Sequence, residues 1–145
     1  MNACVLDASV AAKWFLPAAS ETLVAEALGV LEQYANGDLR VLVPDLFWAE
    51  FGNLLWKSVR LRRITARAAH SAIASLAELH IPSSSCMPLL EDALYIATAF
   101  DHSVYDAMYV ALAVTTNRPL LTADERLVQA LASRFPVRWL GAVAL

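Results

Sequence analysis

A chain of 145 residues is long enough to bury a substantial core without staples, and a single domain spanning residues 1–145 is expected. Hydrophobic residues make up 59% and the mean hydropathy is +0.50, but Asp101, His102 and Asp106 interrupt the most apolar region, residues 93–114, so no membrane span is expected. Two isolated cysteines, Cys4 and Cys86, rule out a disulfide framework or a thiolate zinc site, while a formal net charge of −3 leaves a nucleic-acid partner open.

Ala3 to Leu6 is an apolar run without alternation, the pattern of a strand buried on both faces of a parallel sheet, and it exits into Asp7. Ser9 to Leu16 forms a short helix stopped by Pro17. Ser20 opens a longer helix with Leu23, Ala27, Leu28 and Leu31 at helical spacing, and Gly37 ends it. Arg40 to Val43 is a second strand. Pro44-Asp45 starts a helix with Leu46, Phe47, Glu50, Phe51, Leu54 and Leu55 on one broad face. Thr65 caps the next helix, whose stripe is Ala69, Ile73, Leu76 and Ala77, and Leu79 to Ser83 reads as a third strand. Two further helices run from Ser85-Pro88 to about Phe100 and from Ser103 to about Thr116. Leu120 to Thr122 is a strand, Asp124 to Ser133 a helix, and Val137 to Leu140 the final strand. This alternation predicts a three-layer α/β/α sandwich with a mostly parallel central sheet.

Four acids stand out. Asp7 and Asp124 leave the ends of strands, where open parallel sheets place their functional crevice. Glu50 sits among Leu46, Phe47, Asn53 and Leu54, and a carboxylate on a mainly apolar face must be paired or bind something. Asp106 also fits the capping box Ser103-Val104-Tyr105-Asp106. In Thr122-Ala123-Asp124-Glu125 the box position belongs to Glu125, which frees Asp124 to face the crevice. Asp7 taken alone reads more readily as a cap of the helix that follows. Four carboxylates at one point repel unless a cation joins them, and hard oxygen donors suit Mg²⁺ or Mn²⁺. Setting these four aside leaves ten acids against eleven bases, so the overall charge does not exclude a phosphate substrate.

The blocks around these acids resemble a PIN-domain nuclease, and more closely a VapC-type toxin of a toxin-antitoxin pair. The matching segments are Val5 to Val10 with Lys13-Trp14-Phe15, Leu46 to Glu50, Tyr105 to Ala113, and Pro119 to Leu127. The similarity runs from near Val5 to near Leu140, with little signal in residues 57–100. It implies a Mg²⁺-dependent endoribonuclease, a homodimer, and inhibition by a small antitoxin. Asp7, Asp106 and Asp124 would bind metal, Glu50 would be a further ligand or orient the attacking water, and Ser9 and Thr122 would support them. The exposed part of the surface carrying Phe47, Trp48, Phe51 and Trp56 is the candidate antitoxin groove, with Phe47 and Phe51 expected in the core.

Lys57, Arg60, Arg62, Arg63 and Arg67 form the densest basic cluster, a solvated helix end or a track for RNA phosphates. His70, His80 and His102 lack ligand spacing, and Tyr105 and Tyr109 are read as packing residues. The start of the chain lacks a basic segment followed by an apolar run, so a cytoplasmic location is expected. Aspartyl-phosphate chemistry of the haloacid-dehalogenase kind would need an acid where Ser9 stands. A PIN-like module that binds RNA or protein without cutting is the alternative, although such a module would be expected to have lost acids.

Overall fold

The computed structural model describes residues 1–143. Five strands, β1 (Ala3–Leu6), β2 (Arg40–Pro44), β3 (Ser83–Ser84), β4 (Leu120–Thr122) and β5 (Val137–Trp139), form one sheet in the order β3-β2-β1-β4-β5. Every pairing is parallel, a stricter arrangement than the mostly parallel sheet expected. Seven helices flank it: α1 (Ala8–Ala12), α2 (Val24–Ala35), α3 (Leu46–Arg60), α4 (Ala66–Glu78), α5 (Leu90–Phe100), α6 (Val104–Thr116) and α7 (Glu125–Leu131). Cys4, Val5 and Leu6 are fully buried, as a strand covered on both faces requires.

The chain lays down β1, β2 and β3 in one direction, then crosses to the other side of β1 for β4 and β5. The strand order therefore reverses between β1 and β4. In open α/β sheets that reversal opens a crevice at the carboxyl ends of the two strands. Asp7 and Asp124 follow those ends.

The core is built around α6. All seven residues from Ala107 to Ala113 are buried, and the helix packs on β1, β2 and β4 with α5 alongside. A helix apolar on every side belongs inside a domain. Helix α3 is amphipathic instead, burying Phe47, Phe51 and Leu55 along one stripe while Trp48 and Trp56 face outward.

Some elements depart from the sequence reading. Helix α2 begins at Val24, because Ser20 lies in a short 3₁₀ turn and Leu23 takes a left-handed backbone with φ +57°. Its buried positions are Ala27 and Val30, and Leu28 is exposed. Gly37 ends the helix with φ +81°, a conformation that glycine adopts without steric cost. In α4 the buried stripe is Ala72 and Leu76, with Ala69 packed beside it, whereas Ile73 and Ala77 are exposed. Strand β3 is not Leu79 to Ser83: Leu79 closes α4, His80 turns through φ +51°, and pairing is confined to Ser83 and Ser84. Leu79 follows Leu76 at helical spacing, so its side chain belongs to the helix pattern.

Candidate active site

The carboxyl ends of β1 and β4 are fastened together by side chains. Asp7 caps α1, and its Oδ2 accepts hydrogen bonds from the Ser9 hydroxyl (2.7 Å) and the Thr122 hydroxyl (2.5 Å). Ser9 Oγ accepts in turn from the Ala123 N–H (3.1 Å), and Thr122 Oγ1 from the Asp124 N–H (3.0 Å). Thr122 is fully buried, so its hydroxyl needs partners and finds one on each side. Asp7 is thereby held by two hydroxyls that are anchored to the opposite strand.

Asp124 is itself the cap of α7, its Oδ1 accepting from the N–H groups of Arg126 (2.9 Å) and Leu127 (3.2 Å). This corrects the expectation that Glu125 does the capping and leaves Asp124 free. A carboxylate has two oxygens, however, and Asp124 still lines the crevice while it caps. Asp106 lies in the first turn of α6, with its N–H bonded to the Ser103 hydroxyl that caps the helix (3.1 Å). His102 Nδ1 lies 4.0 Å from Asp106 Oδ2, so one histidine given no role from the sequence borders the site.

Glu50 projects from the first half of α3 and accepts a hydrogen bond of 2.7 Å from the Tyr109 hydroxyl. Among the described residues it takes part in no ion pair. Asp7, Glu50, Asp106 and Asp124 all line one pocket of about 420 Å³, together with Ser9, Asn53 and Tyr105. Tyr105 is 67% exposed at the rim, contrary to its reading as a packing residue. Tyr109 is buried as expected, yet it also touches an acid, which the sequence reading missed.

Electrostatics bind the acids into one unit. Burial pushes the Asp7 carboxyl above its ordinary range, against the pull of the Thr122 and Ser9 hydrogen bonds, and the Asp106 charge adds to the rise. Glu50 is raised to about 7, first by burial and then by Asp7 and Asp106, with Tyr109 opposing. Asp106 is raised by burial and by Asp124, while Ser103 and His102 oppose. No lysine or arginine lines the pocket.

This donor set fits a hard divalent cation, since it offers carboxylates and hydroxyls at an open crevice and no thiolate. Among the described residues no three acidic, histidine or cysteine side chains close on one point as a finished cage. The acids line the walls of the pocket.

A family model described as the PIN domain matches residues 4–131. The chain belongs to the PIN-domain family. Ribonuclease VapC1 of Mycobacterium tuberculosis is 33% identical to this PIN domain over 135 residues, covering 90% of this chain and 92% of that protein. Ribonuclease VapC3 of Pyrobaculum aerophilum is 30% identical over 134 residues, covering 91% and 94%. Among solved structures, PAE2754 from Pyrobaculum aerophilum superposes with a TM-score of 0.64 at 25% identity, covering 90% of this chain and 79% of that one. A toxin-antitoxin complex from Klebsiella pneumoniae gives a TM-score of 0.63 at 14% identity, covering 93% and 95%, a likeness of fold.

The basic residues lie elsewhere. Lys57 and Arg60 end α3, Arg62 and Arg63 follow in the turn, and Arg67 opens α4. All five are exposed, and none is in an ion pair among the described residues. Arg60 lies over the Trp56 ring, 5.0 Å from its centroid. Glu50 and Arg60 are ten residues apart on one helix, about 15 Å along its axis. No helix among the described residues is long and apolar enough to cross a membrane.

Proposed function

We propose that this PIN domain is a Mg²⁺-dependent endoribonuclease and the toxin of a toxin-antitoxin pair. The reading rests on one observation above all. Four acids, carried by four separate segments, line a single pocket at the point where the strand order reverses. Relatives named ribonucleases at 30% and 33% identity support the substrate class.

Asp7, Asp106 and Asp124 are assigned to hold the cation, with Mn²⁺ able to replace Mg²⁺. Ser9 and Thr122 keep the Asp7 carboxylate aimed at the crevice. Glu50, with Oε2 engaged by Tyr109, has Oε1 left to bind the ion's water or to take the proton of a water attacking phosphorus. When bound, the cation activates that water and offsets the charge building on the phosphodiester oxygens. The exposed basic cluster from Lys57 to Arg67 offers a track for RNA phosphates leading away from the acids.

The proposed antitoxin would cover the outward indoles of Trp48 and Trp56 on α3, which extend from beside Glu50 toward the basic end. A homodimer is proposed through α5, where Leu90, Leu94 and Tyr95 are exposed. The test is incubation of total RNA with purified, antitoxin-free protein in Mg²⁺ or in EDTA, beside Asp7→Asn and Asp106→Asn. Discrete fragments are expected only for the unmodified protein in Mg²⁺. Full activity in either variant would remove that acid from the site. The same fragments in EDTA would overturn the metal dependence.

A further inference from the structure

Tyr109 is the largest fully buried side chain among the described residues, 1% exposed and flanked in sequence by the buried Met108 and Val110. A phenol buried so deeply needs a polar partner, and it reaches Glu50 Oε2 at 2.7 Å from a position 59 residues away in sequence. An ionised carboxylate can only accept, so the phenol is the donor. Ala8, immediately after Asp7, lines the same pocket as Glu50. Tyr109 is also three residues after Asp106, on the same side of α6.

One buried hydroxyl on α6, the helix of Asp106, therefore ties that helix to Glu50 of α3 at the pocket that the start of α1 also lines. We infer that Tyr109 is a positioning residue of the acid site, which fixes the Glu50 carboxylate in the pocket and sets its place relative to Asp7 and Asp106. Glu50 has three side-chain torsions and, among the described residues, no cationic partner, so the phenol is what restrains its head group. The phenol also favours the charged carboxylate against the burial that disfavours it.

The inference rests on the proposal that Glu50 serves a metal site, and its test separates the two. Mn²⁺ is titrated by calorimetry into the full-length protein, Tyr109→Phe, Glu50→Gln and the double variant, with kcat and KM measured on RNA. Loss of a group that orients a ligand typically weakens metal affinity by about tenfold or more. That loss is expected for Tyr109→Phe, with a fall in kcat and an unchanged KM. In the double variant Tyr109→Phe should add nothing to Glu50→Gln, since the phenol acts through that carboxylate.

Wild-type affinity in Tyr109→Phe, or losses that multiply in the double variant, would overturn the inference and leave the metal site standing. No Mn²⁺ binding by the unmodified protein would overturn both. Should Tyr109→Phe fail to fold, 3-fluorotyrosine at position 109 gives a ¹⁹F resonance expected to shift on Mg²⁺ addition and in Glu50→Gln. A resonance that moves in neither case would also overturn the inference.

Discussion

Carboxyls crowded in a half-buried pocket favour the protonated form, and this sets a pH dependence whose sign is opposite to that of a salt-bridged acid. Glu50 is raised to about 7, and Asp7 and Asp106 are raised as well, so the metal-free native state holds protons that the unfolded chain has released. Stability must then fall as pH rises above the ordinary carboxyl range, and the share due to Glu50 is complete once it has ionised near 7. Melting temperatures measured in EDTA should decline across that window. Glu50→Gln should reduce the decline, and Mg²⁺ should raise the melting temperature most at the alkaline end. Thr122→Val, by contrast, removes a buried hydroxyl that serves Asp7 and the Asp124 N–H together. Leaving such groups unpaired costs about 1–3 kcal/mol, measurable by urea unfolding. The acids were legible in the sequence because each follows a strand or interrupts an apolar face. The Tyr109 contact was not, since a tyrosine inside an apolar helix reads as packing until its partner 59 residues away is placed beside it.

Helix α3 carries two tasks on two faces, and its residues can be separated by what they bury. Phe47 is fully buried and Phe51 nearly so, with their rings stacked 6.4 Å apart, while the exposed Trp48 meets Phe47 edge-on. Phe47→Ala should therefore cost about 3–5 kcal/mol in denaturant unfolding, and Trp48→Ala markedly less. The element types and most of their limits followed from periodicity and caps: β4 at Leu120–Thr122 and the Thr65 and Ser103 caps stand where they were expected. Where the reading failed, a tertiary preference outweighed a local one. Ile73 is exposed because the smaller Ala72 supplies the contact face of α4, and helical spacing alone cannot choose between adjacent stripes. The start of α2 was misplaced for a related reason, since the left-handed turn at Leu23 has no signature in residue type.

At the scale of the whole molecule the four site acids and the densest basic cluster stand apart. Asp7, Glu50, Asp106 and Asp124 gather at the sheet's switch point, and Lys57, Arg60, Arg62, Arg63 and Arg67 gather where α3 ends and α4 begins. If the basic end tracks RNA, Arg62→Ala combined with Arg63→Ala should reduce the slope of log affinity against log salt by about 1.4, the single-strand value for two phosphate contacts. An unchanged slope would assign those arginines to solvent. The order β3-β2-β1-β4-β5 has another consequence. Asp124 is held at the pocket by the end of β4, which pairs with β1 on one side and with β5 on the other, where Leu120 N–H bonds the Pro136 carbonyl. Translation delivers the chain from its amino end, so Asp7, Glu50 and Asp106 emerge well before the last strand that braces their partner. A chain extended just past Asp106 holds three of the four acids without β4 and β5. If the chain is the toxin proposed above, it lacks its complete acid site through most of its own synthesis, and an inhibitor need only arrive by the time the final strand is released.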